Sequence, residues 1–306
     1  MLLDSRLTPV PKIDPKITVL SFSPTLLGRL RAELALRSLT QPQNDILCFG
    51  NLPPLLSRAE ANTSIFLQNR YLIPPSSFAG LPWKTTVRLW IERIWLARRR
   101  GAARLIVQSE TMASAVIKAF NQEPDIYPFT PQLSPASKAE YGSKSLDFLY
   151  VASGEAHKNH ITLLAAWERL AMSGLKPSLG LTLSACDAAR FEAPLRSARS
   201  AGAMIELLPL RSAEEMPELY ASARAAIYPS LFESFGLPLI EAKAAGLPII
   251  AAERDYVRDL VDPVETFDPT SENSIARAVR RYLRQPTDRI EILNAKGLLV
   301  KLRQNK

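Results

Sequence analysis

The chain of 306 residues is poor in the side chains that build disulfide and metal frameworks, with two cysteines, Cys48 and Cys186, and two histidines, His157 and His160. Two cysteines exclude a disulfide scaffold and a four-thiolate zinc site. Both lie in apolar, strand-like runs, where cysteine is expected as a small buried hydrophobe. No apolar run approaches the roughly 18–20 residues that a membrane-spanning helix needs. The first fifteen residues, MLLDSRLTPVPKIDP, mix charges with three prolines and lack the apolar stretch of a secretory signal. A cytoplasmic protein is the default expectation. Glycine is also sparse, and no Gly-Gly pair occurs in the first hundred residues.

What is present describes a folded chain. Apolar residues make up 47% and charged residues 22%, which excludes wholesale disorder. At roughly 100–200 residues per domain, two domains are expected. The net charge of +8 suggests an anionic partner without choosing among nucleotide, nucleic acid and membrane surface. The charge is concentrated. Between Trp83 and Arg104 stand Lys84, Arg88, Arg93, Arg98, Arg99, Arg100 and Arg104 against Glu92 alone, a local excess of +6. Trp83, Val87, Trp90, Ile91, Ile94 and Trp95 recur there at helical spacing. A basic, Trp-bearing helix of this kind over 83–104 can lie on an anionic membrane surface. The plainer alternative is a domain helix with its Trp face in the core. No helix-turn-helix, zinc finger or RNP-type aromatic motif supports a nucleic-acid partner.

Short β-rich runs alternate with longer helical runs. The first half predicts strands at 17–22, 45–50, 64–68 and 104–108 and helices at 25–38, 83–99 and 110–121. Residues 130–145, polar and Ser-rich, predict a linker. The second half predicts strands at 147–152, 179–184, 204–208, 225–229 and 248–252. Helices are predicted at 160–173, 187–199, 213–223, 237–245 and 273–284, with Ser212 and Ser271 as N-caps. Such alternation means right-handed βαβ units and an α/β fold with open parallel sheets. Ligands of these sheets bind beyond the carboxyl ends of the strands.

One post-strand loop stands out, from Tyr228 through PSLFESFGLPLIEAKAAGLP. Gly236 permits close backbone approach to a ligand. Pro238 suits a first helical turn, where its missing N–H costs nothing. The free N–H groups near Phe235, Gly236 and Leu237 would form an anion site at the helix start. Glu233 precedes that helix and Glu241 lies one turn inside it. By themselves two glutamates at this spacing are ordinary solvated charges.

The block PSLFESFGLPLIEAKAAGLPII resembles the Glu-x7-Glu donor signature of the GT-B retaining glycosyltransferases of family 4, of the bacterial polysaccharide-biosynthesis type. DFLYVASGEAHKNHITLLAAW is similar to that family's first C-terminal-domain strand, phosphate loop and following helix. IELLPLRSAEEMPELYASARAAIYPS is similar to its base-binding loop and the next helix. Within the first half, DILCFGNLPPLL, SIFLQNRYLIPP and RLIVQSETM are similar to the family's acceptor domain. The resemblance implies a GT-B fold: two Rossmann-like parallel-sheet domains facing a cleft, an acceptor domain at 1–135 and a donor domain at 136–306. Its N-terminal domain is expected to be shortened, without the usual first strand and Gly-rich loop, whether by truncation, a misplaced start or divergence.

The resemblance also implies roles. Glu233 would sit near the transferred sugar and Glu241 would bind the donor ribose. Lys158 would neutralise the leaving diphosphate, as a catalytic group with Glu233. Ser234, Phe235, Gly236 and Leu237 would lie over the sugar and diphosphate. Ser153 stands where the family's usual arginine is missing, and His157 occupies a site that is often basic; on the residues alone, His157 and His160 read as surface loop residues. Leu208 and Pro209 would pack on the base. The implied reaction moves a hexose from a nucleotide-diphosphate sugar to a saccharide or lipid-linked saccharide hydroxyl with retention, in cell-surface polysaccharide biosynthesis, with no metal or other cofactor. The protein would be cytoplasmic, peripheral at the inner membrane face. The alternatives are a nucleotide-sugar binder that has lost catalysis and a GT-B epimerase or phosphorylase.

Overall fold

The computed structural model describes residues 1–4, 14, 16–41, 43–56, 62–101, 103–130 and 145–285. The linker expected over 130–145, except for its end residues, and the expected boundary at 135/136 lie outside that set. The chain divides into two compact units. The first comprises Met1–Leu133 together with Phe232–Ile240 and Arg254–Val261. The second comprises Ser134–Leu231, Glu241–Glu253 and Asp262–Lys306. Two later segments thus pack with the N-terminal residues.

The first unit begins with β1 (Leu2–Asp4), where the sequence reads as coil. Three residues are too few to show a pattern. The strand exists because β2 (Leu20–Phe22) supplies a parallel partner far along the chain. Then follow α1 (Leu26–Leu39), β3 (Asp45–Cys48), β4 (Asn62–Phe66), α2 (Trp83–Arg99), β5 (Arg104–Val107), α3 (Glu110–Phe120) and β6 (Asp125–Ile126). Thr25 and Ser109 cap α1 and α3, each hydroxyl accepting a backbone N–H of the first turn. β3 to β6 form a parallel sheet in sequence order. Its core gathers Ile65, Leu72, Leu105, Val107, Met112 and Val116 with Leu89 and Leu96 of α2.

That last contact overturns the plain expectation for α2. Leu89 and Leu96 face inward, whereas Trp83 and Trp90 are 72% and 58% exposed and Val87 and Ile91 are exposed beside them. The first part of the predicted Trp stripe thus points outward, while Ile94 and Trp95 are half-buried. The basic residues are also divided. Arg93 donates to the carbonyls of Tyr71 and Ser76, Arg99 to that of Leu55, and Arg100 to that of Phe120. Arg104 pairs with Asp125. Lys84, Arg88 and Arg98 stay exposed on the helix. Loop carbonyls at the helix ends need donors, and arginine provides them without leaving the surface.

In chain order the rest comprises β7 (Leu146–Tyr150), α4 (His160–Met172), β8 (Leu179–Thr182), α5 (Ala185–Arg190), α6 (Glu192–Ser200), β9 (Ile205–Leu208), α7 (Met216–Ala221) and β10 (Ala223–Tyr228). α8 (Leu237–Ala244), β11 (Ile249–Ala252), α9 (Asp255–Arg258), β12 (Glu265–Phe267) and α10 (Glu272–Tyr282) complete it. The sheet of the second unit is parallel throughout, in the order β12-β11-β10-β7-β8-β9. The chain builds outward from β7 through β8 and β9, then returns to β10 on the other side of β7. The switch point lies between β7 and β10, the place where open α/β sheets hold ligands.

Three local expectations change. The helix predicted over 187–199 breaks at Phe191, because Pro194 has no N–H to continue a ladder and is tolerated only in the first turn of α6. Cys186 is exposed on α5 rather than buried on a strand, while Cys48 is half-buried and burial pushes its thiol up to about 11. Ser212 caps no helix: α7 starts at Met216, and the Ser212 N–H donates to Glu215. Ser271 does cap α10, accepting from the Ser274 N–H. Trp167 anchors the second core, stacked edge-on against Phe148 with its indole N–H on the Pro177 carbonyl at 2.9 Å. Trp167→Ala is expected to cost about 3–5 kcal/mol in urea unfolding, from lost burial and the orphaned carbonyl.

Candidate functional site

The loop after β7 carries Ser153, Gly154, Glu155, a single 3-10 turn (Ala156–Lys158) and then α4. Ser153 is exposed, and its hydroxyl lies 3.3 Å from Glu155 Oε2. Gly154 packs so closely on Asp187 that a Cβ would sit 2.5 Å from that carboxyl group. Only glycine fits there without moving Asp187. His157 and His160 are both buried, which corrects the expectation of surface loop residues. The loop folds back onto the sheet and closes over them. His157 Nε2 lies 3.8 Å from Glu155 Oε2, and its carbonyl accepts the Leu231 N–H at 2.8 Å. Lys158 is half-buried, and its carbonyl accepts the Tyr150 hydroxyl at 2.7 Å. The end of β10 joins the same place, since Ser230 Oγ is 3.1 Å from the Tyr150 hydroxyl. The loops after β7 and β10 are thus bonded to one another at the switch point.

Glu241 belongs to the same unit. The Tyr220 hydroxyl donates to its Oε2 at 2.8 Å. Burial holds the Glu241 carboxyl above the usual range, and the Tyr220 bond opposes that rise. Leu208 closes β9 half-buried and Pro209 follows it exposed.

In the other unit, Glu233 is buried beside Tyr256, whose hydroxyl is raised first by burial and then by that carboxylate. The Ser109 hydroxyl lies 3.5 Å from the Ser234 carbonyl. Phe235 and Gly236 are buried, Ser234 and Leu237 half-buried. Gly236 has φ +88°, a backbone that L side chains rarely adopt, and a Cβ would press on Leu239 and Leu260 at 3.3 and 3.4 Å. α8 starts immediately after it, with Pro238 in the first turn as expected.

The sequence reading missed Tyr150, Asn159, His160 and Tyr220 as contributors. Asn159 offered one signal: an asparagine next to the expected diphosphate lysine, of a type that tolerates φ > 0. No group of three or more His, Cys, Asp or Glu side chains among the described residues is placed to hold a metal ion. Among the same residues no helix is long and apolar enough to cross a membrane.

The profile of the glycosyl transferases group 1 family matches residues 135–296, more than half of the chain. The chain belongs to this family. Over 155 residues it is 32% identical to O-antigen chain mannosyltransferase B of Escherichia coli, covering 49% of this chain and 40% of that protein. The aligned part is therefore well under half of that relative's length. Among solved structures, sucrose-phosphate synthase from Thermosynechococcus elongatus superposes with a TM-score of 0.66 at 17% identity, covering 92% of this chain and 77% of that one. Anabaena HepE in complex with UDP-glucose superposes with a TM-score of 0.62 at 17% identity, covering 87% and 76%. These likenesses establish the GT-B fold for this group 1 glycosyltransferase.

His160 gives the group 1 site a pH signature. Its Nε2 lies 2.8 Å from the Ser153 carbonyl, which only accepts, so that nitrogen carries the proton. Its Nδ1 is buried with no partner, and the side chain is 1% exposed. Burial lowers its pKa from 6.5 to about 4. Because the folded value is depressed, the neutral form stabilises the fold above pH 6.5, and that stability is lost as pH falls toward 4. Between those limits the group should remove up to about 3 kcal/mol, measured by urea unfolding across the pH range. His160→Gln should flatten that part of the profile.

Proposed function

We propose that the chain transfers a hexose from a nucleotide-diphosphate sugar to the hydroxyl of a saccharide or lipid-linked saccharide, with retention of configuration. The observation that carries this reading is the union of two family segments at one switch point: the loop holding Lys158 and the loop that leads from β10 into Glu233. A nucleotide-sugar donor agrees with the UDP-glucose in the HepE structure. A hexose and a place in cell-surface polysaccharide biosynthesis agree with the likeness to the O-antigen chain mannosyltransferase.

The chemistry follows from charge. As the anomeric bond breaks, negative charge grows on the diphosphate. The Lys158 ammonium neutralises it. Donor binding without a metal is part of the proposal. Glu241 accepts the ribose hydroxyls, with Tyr220 fixing one of its oxygens. Glu233 holds the transferred sugar. Ser153, His157, Leu208 and Pro209 complete the contacts to diphosphate and base. Glu233→Ala should lower kcat by about 100-fold or more in a radiolabelled sugar-transfer assay with a permissive acceptor. Full activity in that variant would remove Glu233 from the reaction.

A lipid-linked acceptor would place the enzyme at the inner face of the cytoplasmic membrane, with α2 as the contact. The outward Trp83, Val87, Trp90 and Ile91, flanked by Lys84, Arg88 and Arg98, suit the headgroup region of an anionic bilayer. Replacing both Trp83 and Trp90 with Ser should weaken partition onto vesicles containing phosphatidylglycerol by about tenfold in sedimentation assays, with intact secondary structure. Equal binding by variant and wild type would exclude α2 as the contact.

A further inference from the structure

Asn159 follows Lys158 and every polar atom it has is committed. Its backbone sits in the left-handed region at φ 61°, between the 3-10 turn and α4. Its N–H donates to the Ala156 carbonyl and its carbonyl accepts the Leu163 N–H, so it closes one turn and opens the helix. Its side chain is buried beyond the ends of two strands. Nδ2 donates to the Pro229 carbonyl beyond β10 at 3.1 Å and to the Pro269 carbonyl beyond β12 at 2.7 Å. Oδ1 accepts the Thr162 hydroxyl at 2.6 Å. One residue earlier, the Lys158 carbonyl is held by Tyr150 at the end of β7.

A lysine on a long flexible stem is a poor point charge unless its backbone is fixed. Here the Lys158 carbonyl and Asn159 are tied to the carboxyl ends of β7, β10 and β12. We propose that Asn159 is a positioning residue that sets Lys158 against the donor diphosphate, with the Tyr150 hydroxyl, bonded to the Lys158 carbonyl, as its counterpart. This rests on the assignment of Lys158 to the diphosphate made above. The carboxamide is the group that fits. Aspartate would face two carbonyls with acceptors only, and alanine would supply no donor and strain at positive φ. Glycine keeps the backbone and removes only the side-chain bonds.

The role separates diphosphate recognition from the rest of the nucleotide. The test is isothermal titration of full-length protein with UDP and UMP and with GDP and GMP, using the pair that the wild type binds. Asn159→Gly should weaken the nucleoside diphosphate by about tenfold and leave the monophosphate within about twofold, because misplacing a charged group acts on its own contact. Tyr150→Phe, which keeps the ring and loses the bond to Lys158, should shift the same ratio in the same direction and covers the case in which Asn159→Gly does not fold. Equal losses for both nucleotides, or an unchanged ratio in folded variants, would overturn the proposal. Lys158→Ala is the control: if it abolishes the diphosphate preference while Asn159→Gly and Tyr150→Phe do not, the positioning role alone fails. If Lys158→Ala leaves the preference intact, or the wild type binds neither diphosphate more tightly than its monophosphate, the assignment of Lys158 fails and the proposal fails with it.

Discussion

The parallel pairing of β7 with β10, registered through Ala223–Leu146, Ala225–Phe148 and Ala226–Leu149, is the constraint on which the second unit depends. These strands are neighbours in the sheet but distant in sequence, with two βαβ units between them. Their pairing reverses the direction in which the sheet grows. It therefore leaves two post-strand loops side by side. The small side chains at Ala223 and Ala225 let β10 lie in the buried centre without displacing Phe148 or Trp167. Tyr150 and Ser230, at the ends of the paired strands, then come within hydrogen-bond distance of each other. Asn159 reaches across to the ends of β10 and β12.

The cations of α2 have two physical uses, and the chain separates them by position. Arginines at and near the end of the helix satisfy carbonyls of neighbouring loops, work that their fork geometry performs at the rim of a core. Lys84, Arg88 and Arg98 remain in solvent on the helix that exposes Trp83 and Trp90. The local excess of positive charge overstates the free charge, because backbone oxygen and one aspartate absorb part of it. An outward Trp83 and Trp90 on a helix that is otherwise well packed through Leu89 and Leu96 is an unusual allocation of apolar surface.

The order of strands and helices was legible because β-rich runs and helical spacing alternate strongly from Leu146 onward. β1, β6 and β12 were not, since strands of two or three residues carry no period and form only because a distant partner offers hydrogen bonds. The break at Phe191 was signalled by Pro194, yet helical apolar spacing concealed it. The Glu-x7-Glu block and Lys158 were legible through their pattern. The network behind them was not. Tyr150 reads as a strand residue and Tyr220 as a helix residue, and neither shows in one dimension which carbonyl or carboxylate it will meet.

The sequence by itself determined the fold class, the Glu-x7-Glu block and the concentration of charge near Trp83, because each is a local pattern of residue types. Only the tertiary structure decided which face of α2 is buried, that His157 and His160 lie inside rather than in water, and that the segments 232–240 and 254–261 pack with the N-terminal unit. Those outcomes rest on contacts between residues far apart along the chain. Helical spacing fixes which side chains share a face, but packing chooses the face that meets the core.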